Sequence, residues 1–233
     1  MKKALYAFLI YRIVEVINMS VEKKVEKADQ YSKESLSKMI GGYKGIIETC
    51  EKHMRWIEKS HYFNPKGLHG PDHTQRVMIL AILIGQLYRI SEEEEKILIF
   101  SSLYHDIGRH NDQKDSFHGT KSVQKVKALK RRMRLNCSQE LDIATMIIRY
   151  HSVDDSIAME EHKKIQRGWS DKAYTTMSKL YLIFKDADNL DRVRINDLDI
   201  RYLRNKESVK LTSFAEDLYY FHQKESSVIP FLK

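Results

Sequence analysis

Apolar residues recur along this chain at spacings of three and four, and the strict alternation of a half-buried strand is scarce, so the pattern predicts helices almost throughout. Three stretches are strongly apolar: Val77 to Ile84, Ile97 to Tyr104 and Leu180 to Phe184. A helix that is apolar nearly all round belongs in the interior. One-sided patterns predict further helices over Lys33–Glu58, loosened at Gly41-Gly42, and at about 117–134, 139–151, 171–190, 196–205 and 212–223. Ser91 and Glu94 form a capping-box pattern that opens the helix running through Ile97 to Tyr104. Two of the three prolines lie in His61 to Pro71, which reads as a loop, and Gly108 to Ser116 is a second, polar loop. The expected fold is an all-α, compact helical bundle with an N-terminal helical extension.

Length and composition agree with that picture. The 233 residues, 42% of them hydrophobic, suit one domain over 31–233 preceded by a helical extension over 1–30. The first residues, Met1 to Ile17, imitate a secretory leader, but Arg12 and Glu15 interrupt the apolar run and no small-residue cleavage site follows. The uncharged stretch is too short to cross a bilayer, so we read an amphipathic helix packed on the domain or a partner, with membrane-surface contact as the lesser reading. Met19 is an alternative natural start. Cys50 and Cys137 lie far apart without ligand-like spacing, which predicts free thiols and a reduced, cytoplasmic setting.

Chemistry concentrates where the apolar runs end. His105 and Asp106 close the run Ile97 to Tyr104, and an ionised carboxylate so placed needs a cation to stay charged. His73 falls in the first turn of the Val77–Ile84 helix, and the third run ends in Asp186-Ala-Asp188-Asn-Leu-Asp191. Three buried helices would thus bring His73, His105, Asp106 and Asp188 together. Two imidazoles and two carboxylates suit Mn, Fe, Co, Ni, Zn or Mg, with positions left for water and substrate. Asp186 competes with Asp188 for the carboxylate role. His53, His61, His162 and His222 read as surface residues, and His69 and His110 as flanking groups.

From Gly67 to Arg194 these residues resemble the HD-domain superfamily of metal-dependent phosphohydrolases, through Asp72-His73-Thr-x-Arg76-Val77, His105-Asp106-Ile-Gly-Arg109 and Asp186-Ala-Asp188-Asn-Leu-Asp191. The resemblance implies His73, His105, Asp106 and Asp188 as metal ligands. Its binuclear branch implies a second ion held by two added histidines and bridged by the doublet's carboxylate. His118 and His151 fit that pair, or else serve as pocket histidines that hydrogen-bond substrate. One or two divalent ions per chain would lower the pKa of a bound water to give a hydroxide nucleophile, with Asp106 at the centre. Arg109 follows the doublet's carboxylate where many relatives carry Lys, and its fork suits a phosphate, as does the charge of Lys185. Arg76 reads as a structural ion-pair partner. Asp112 and Asp115 are loop carboxylates suited to acid, base or supporting roles.

Charge and departures from the family narrow the substrate. The net charge is +8, and Lys121, Lys125, Lys127, Lys130, Arg131, Arg132 and Arg134 crowd one helix, with Val123, Val126 and Leu129 as its packing face. That helix is a solvated face or a funnel for an anion; without interleaved aromatics it does not favour single-stranded nucleic acid. Arg109 stands where the deoxynucleotide monophosphatases carry Glu and the triphosphohydrolases carry His, and the Gly-Tyr-Pro element of the cyclic-dinucleotide enzymes is missing. The expected partner is a small phosphorylated substrate of nucleotide type, with oligomeric state unspecified. Two other classes remain: a mixed-valent di-iron oxygenase, which uses the same ligand types, and a non-catalytic module whose metal staples helices.

Overall fold

The computed structural model describes residues 30–41, 43–129, 135, 138–166, 168–225, 228 and 232. Every regular element among them is helical, in ten α-helices and three short 3-10 turns. The expectations for the extension over 1–30 and its Met19 start, for Cys137, and for Lys130, Arg131, Arg132 and Arg134 lie outside the described residues, save for Gln30. No helix among the described residues is long and apolar enough to cross a membrane.

The centre of the bundle is α3 (Pro71–Leu87), in which every residue from Val77 to Gly85 is buried. Around it pack α4 (Glu92–Tyr104) and α8 (Asp171–Leu190), and α6 (Ser138–Tyr150) closes on α4 and α8. Helix α5 (His118–Leu129) lies against α6, burying Val123 and Val126. Helix α4 starts on the predicted capping box: Ser91 Oγ accepts from the Glu94 amide, and the Glu94 carboxylate accepts from the Ser91 amide. At the start of α8 Ser170 Oγ accepts from the Ala173 amide, a single cap bond without the reciprocal carboxylate. Cys50 is a free, buried thiol whose pKa burial pushes up to about 12, so it is an inert packing group.

The structure corrects the sequence reading in four places. The helix expected over Lys33–Glu58 is two, α1 (Lys33–Met39) and α2 (Lys44–Met54), because the chain turns through positive φ at Gly41 (74°) and Tyr43 (62°). The helix expected at 196–205 is replaced by a 3-10 turn at Ile200–Tyr202, then α9 (Lys206–Val209), ahead of α10 (Thr212–Lys224). Its amides have other acceptors: those of Arg204 and Asn205 donate to the buried Asp186 carboxylate. Helix α7 (Asp155–Gln166) was not foreseen. Its inner stripe holds Ala158 and His162, and a histidine in an apolar position hides the period. Finally, His162 and His222 are buried rather than on the surface. His222 Nδ1 lies 3.2 Å from an Arg76 guanidinium nitrogen.

Candidate metal centre

The expected ligands meet where α3 begins and α4, α6 and α8 end. His73 sits in the first turn of α3, which opens with Pro71 at a position where no amide is required. His105 caps the end of α4, and the following turn holds Asp106. That turn is clamped from α5: Ser122 Oγ donates to the His105 carbonyl and accepts from the Gly108 amide. Gly108 is required here, because a Cβ would run into the Ser122 amide and the His118 carbonyl. His118 opens α5 and His151 follows α6. Their approach depends on Gly119, where a Cβ would strike the Ile148 and Arg149 carbonyl oxygens.

Four imidazoles are wired alike. His73 Nδ1 lies 2.7 Å from Asp191 Oδ2, His105 Nδ1 2.8 Å from the Ser102 carbonyl, and His151 Nδ1 2.7 Å from the Ile148 carbonyl, while His118 Nδ1 meets the Asp115 carbonyl. These acceptors hold the proton on Nδ1 and leave Nε2 facing the centre. There the Nε2 atoms pair, His73 with His105 at 3.0 Å and His118 with His151 at 2.7 Å. Facing lone pairs at such distances repel unless a cation lies among them. Asp106 stands between the pairs: Oδ1 is 2.9 Å from His118 Nε2 and 3.6 Å from His151 Nε2, and Oδ2 is 3.5 and 3.6 Å from those of His73 and His105. Asp188 Oδ1 lies 3.4 Å from His73 Nε2. Ligand atoms of His73, His105 and Asp188 fall within 4.8 Å of one another, as do those of His105, Asp106 and His151.

The protonation states suit a metal. For Asp106 burial alone would raise the pKa, but the surrounding imidazoles, His105 first and then His118, His151 and His69, hold it well below the ordinary carboxylate range. Asp188 is held low against the same burial by His73, His105 and His151. Burial, then Arg194 and His105, pushes His73 well down, and burial takes His151 to about 4. Neutral imidazoles and ionised carboxylates are the forms that bind cations.

A model of the HD domain family matches residues 71–193, just over half of the chain. The chain belongs to the HD domain family. Comparison with curated proteins and with solved structures returned no match. The His and Asp clusters of this HD domain are consistent with a metal site.

The remaining candidates lie at varied removes from the centre. Arg109 Nε donates to Asp106 Oδ1 at 3.0 Å and Nη1 to the Gln113 carbonyl at 3.0 Å, so its guanidinium borders the Oδ1 side. Lys185 Nζ donates to the Val153 carbonyl at 2.6 Å and lies 3.1 Å from Asp155 Oδ1, tying the start of α7 to α8. Asp186 faces Arg204 and Asn205 instead of the imidazoles. Arg76 is the foreseen structural partner, in a buried two-point pair with Asp191. Asp115 supplies its carbonyl to His118 and its carboxylate to Lys121 at 3.0 Å. Two groups gain weight from the geometry. His69 Nδ1 is 2.7 Å from Asp106 Oδ2, and Asp191 orients both His73 and Arg76. For Asp191 the only sequence signal was its place at the end of the acidic segment. Beneath the centre Phe184 forms an apolar floor, its ring centroid 5.4 Å from that of His105 and 6.0 Å from that of His151.

Proposed function

We propose that this protein is a metal-dependent phosphohydrolase acting on a nucleotide or other small phosphorylated molecule with two divalent ions. The observation that carries the reading is the pairing of four Nε2 atoms across one carboxylate. On this reading His73, His105, Asp106 and Asp188 would hold one ion, and His118 and His151, together with Asp106, would hold the other. Divalent ions so held would supply Lewis acidity, lowering the pKa of water towards neutrality and drawing charge from a phosphoryl oxygen. The chain's own groups do the rest. Carbonyls of Ser102, Asp115 and Ile148 fix the rings, so little reorganisation accompanies the reaction. Arg109, anchored through Nε and Nη1, keeps Nη2 for a phosphoryl oxygen, and Phe184 excludes water below.

Lys185 contributes positive charge from a fixed position, and contacts to the Val153 carbonyl and Asp155 occupy its ammonium. A small substrate suits the basic helix better than nucleic acid does. Lys125 bonds the Ile107 carbonyl and Lys121 bonds Asp115, so these lysines brace the centre instead of forming a free stripe.

The same ligand set also suits di-iron oxygen chemistry, and the decisive experiment separates the two. Protein purified without chelator is assayed for metal, then offered a panel of phosphoesters and nucleotides with Mn, Fe, Co or Mg, without oxygen and in heavy-oxygen water. Anaerobic turnover with heavy oxygen in the phosphate product is the expected result. Turnover that requires dioxygen and iron, and leaves water oxygen out of the product, overturns the hydrolase reading.

A further inference from the structure

The two oxygens of Asp106 have different neighbours. Arg109 borders Oδ1, on the His118 and His151 side, and on the Oδ2 side the cation is Arg194, from the 3-10 turn Asp191–Ile195 that follows α8. Arg194 is held at two points. Its Nε donates to the Leu68 carbonyl at 3.1 Å and its Nη1 to the Asp191 carbonyl at 3.0 Å. The side chain is only 6% exposed. The third nitrogen, Nη2, has one polar neighbour among the described residues, His69 Nδ1 at 3.4 Å. That atom is no acceptor. It lies 2.7 Å from the Asp106 carboxylate, so it carries a proton and donates it there. Arg194, whose Nη1 also lies 3.5 Å from Asp191 Oδ2, therefore brings to the centre a nearly buried guanidinium of which only Nη2 lacks an acceptor, an N–H pair that an arriving anion would satisfy.

Its place identifies the anion. His69 Nδ1 is bonded to Asp106 Oδ2, which lies 3.5 Å from His73 Nε2, so Nη2 stands at the rim of the half that His73, His105 and Asp188 form. We propose that Arg194 is a substrate-binding residue whose Nη2 holds a non-bridging phosphoryl oxygen there, opposite Arg109, so that one phosphoryl group is gripped from both sides of Asp106. This rests on the phosphohydrolase reading. With Nε and Nη1 pinned, the planar guanidinium needs no rearrangement to accept the oxygen, which a flexible ammonium could not match.

The test measures binding of inorganic phosphate by calorimetry to Mn-loaded full-length protein, beside metal content and melting temperature. Arg194→Ala is compared with wild type and with Arg192→Ala. The control removes the same charge from the same turn, where Arg192 pairs with Asp197 in solvent. Arg194→Ala should weaken phosphate binding about tenfold to a hundredfold at unchanged metal content, with added guanidinium ion restoring part of it. Arg192→Ala should stay within about twofold of wild type. Wild-type phosphate affinity in metal-replete Arg194→Ala overturns the assignment and leaves Arg194 as a tie between Asp191 and Leu68. Should that variant lose metal or melt early, Arg194→Lys decides: weakened phosphate binding supports the role, and unchanged binding overturns it. Mn-loaded wild type that binds no phosphate overturns the phosphohydrolase reading itself, which distinguishes that failure from one of Arg194 alone.

Discussion

The candidate metal centre and the pocket around His162 lie on either side of the end of α6, and both bury imidazole, yet only the first has the oriented ring nitrogens that suit a cation. His162 is fully buried between Tyr150 and Tyr181, with ring centroids at 5.6 and 4.8 Å and ring planes nearly perpendicular. Neither of its nitrogens has a hydrogen-bond partner among the described residues. The four histidines of the centre are equally sealed, but each has Nδ1 fixed by an oxygen and Nε2 aimed at a neighbour. Burial therefore does not distinguish a ligand from a packing group. The fixed Nδ1 acceptor does, because it selects the tautomer and aims the lone pair.

The largest effect should come from removing the carboxylate both pairs share. Asp106→Ala should lose bound metal altogether, and His105→Ala should lose it from the first pair; both should melt earlier, since the ligands join α3, α4, α6 and α8. At free metal a hundred times above the dissociation constant, the lost linkage is about 3 kcal/mol. Elemental analysis and thermal unfolding of metal-replete protein give the answer, and unchanged stoichiometry in both variants would end the assignment.

The next effect divides the centre. His118→Ala and His151→Ala should each lose one ion and keep the other. Gly119→Ala should weaken the same ion indirectly, about tenfold to a hundredfold, by pushing α5 off the Ile148 and Arg149 carbonyls without touching a ligand. His162→Phe should leave metal content at the wild-type value. A single ion per chain in replete wild-type protein would contradict the two-ion reading, and metal loss from His162→Phe would erase the contrast between the regions.

How much of this was legible beforehand follows the same division. The apolar runs through Val77–Ile84 and Ile97–Tyr104 announced the buried helices, because continuous hydrophobicity has few other uses, and Ser91 with Glu94 marked a start that hydrogen bonding alone specifies. The helix over Asp155–Gln166 was hidden because His162 reads as polar although it packs as an aromatic ring. The 196–205 segment read as helix because periodicity does not reveal that Asp186, 18 residues before Arg204, takes two of its amides. At the centre, His73, His105, Asp106 and Asp188 stood in short recognisable patterns. Asp191, His69 and Arg194 act through contacts between segments distant in sequence, Asp191 with His73, His69 with Asp106 and Arg194 with Leu68, separations that no local pattern encodes.

The smallest effect concerns pH and isolates the His162 pocket. Burial lowers the folded-state pKa of His162 to about 4, against 6.5 for an ordinary histidine. A histidine whose pKa is depressed by folding binds more protons unfolded than folded between those values. Its presence is therefore harmless above pH 6.5 and lowers stability as pH falls through that window, with no further loss below about 4. Between pH 7 and pH 5 the difference is about 2 kcal/mol. His162→Phe keeps a ring between Tyr150 and Tyr181 and cannot take a proton, so its stability should fall less on acidification by that amount, as read by urea unfolding at the two pH values. Loading both proteins with metal keeps the four imidazoles of the centre neutral, and buried His222, whose pKa burial also lowers, contributes equally to the two curves. Parallel loss of stability in wild type and His162→Phe would mean that His162 takes its proton without resistance, and that its pocket is open to water in a way its unpartnered nitrogens do not suggest.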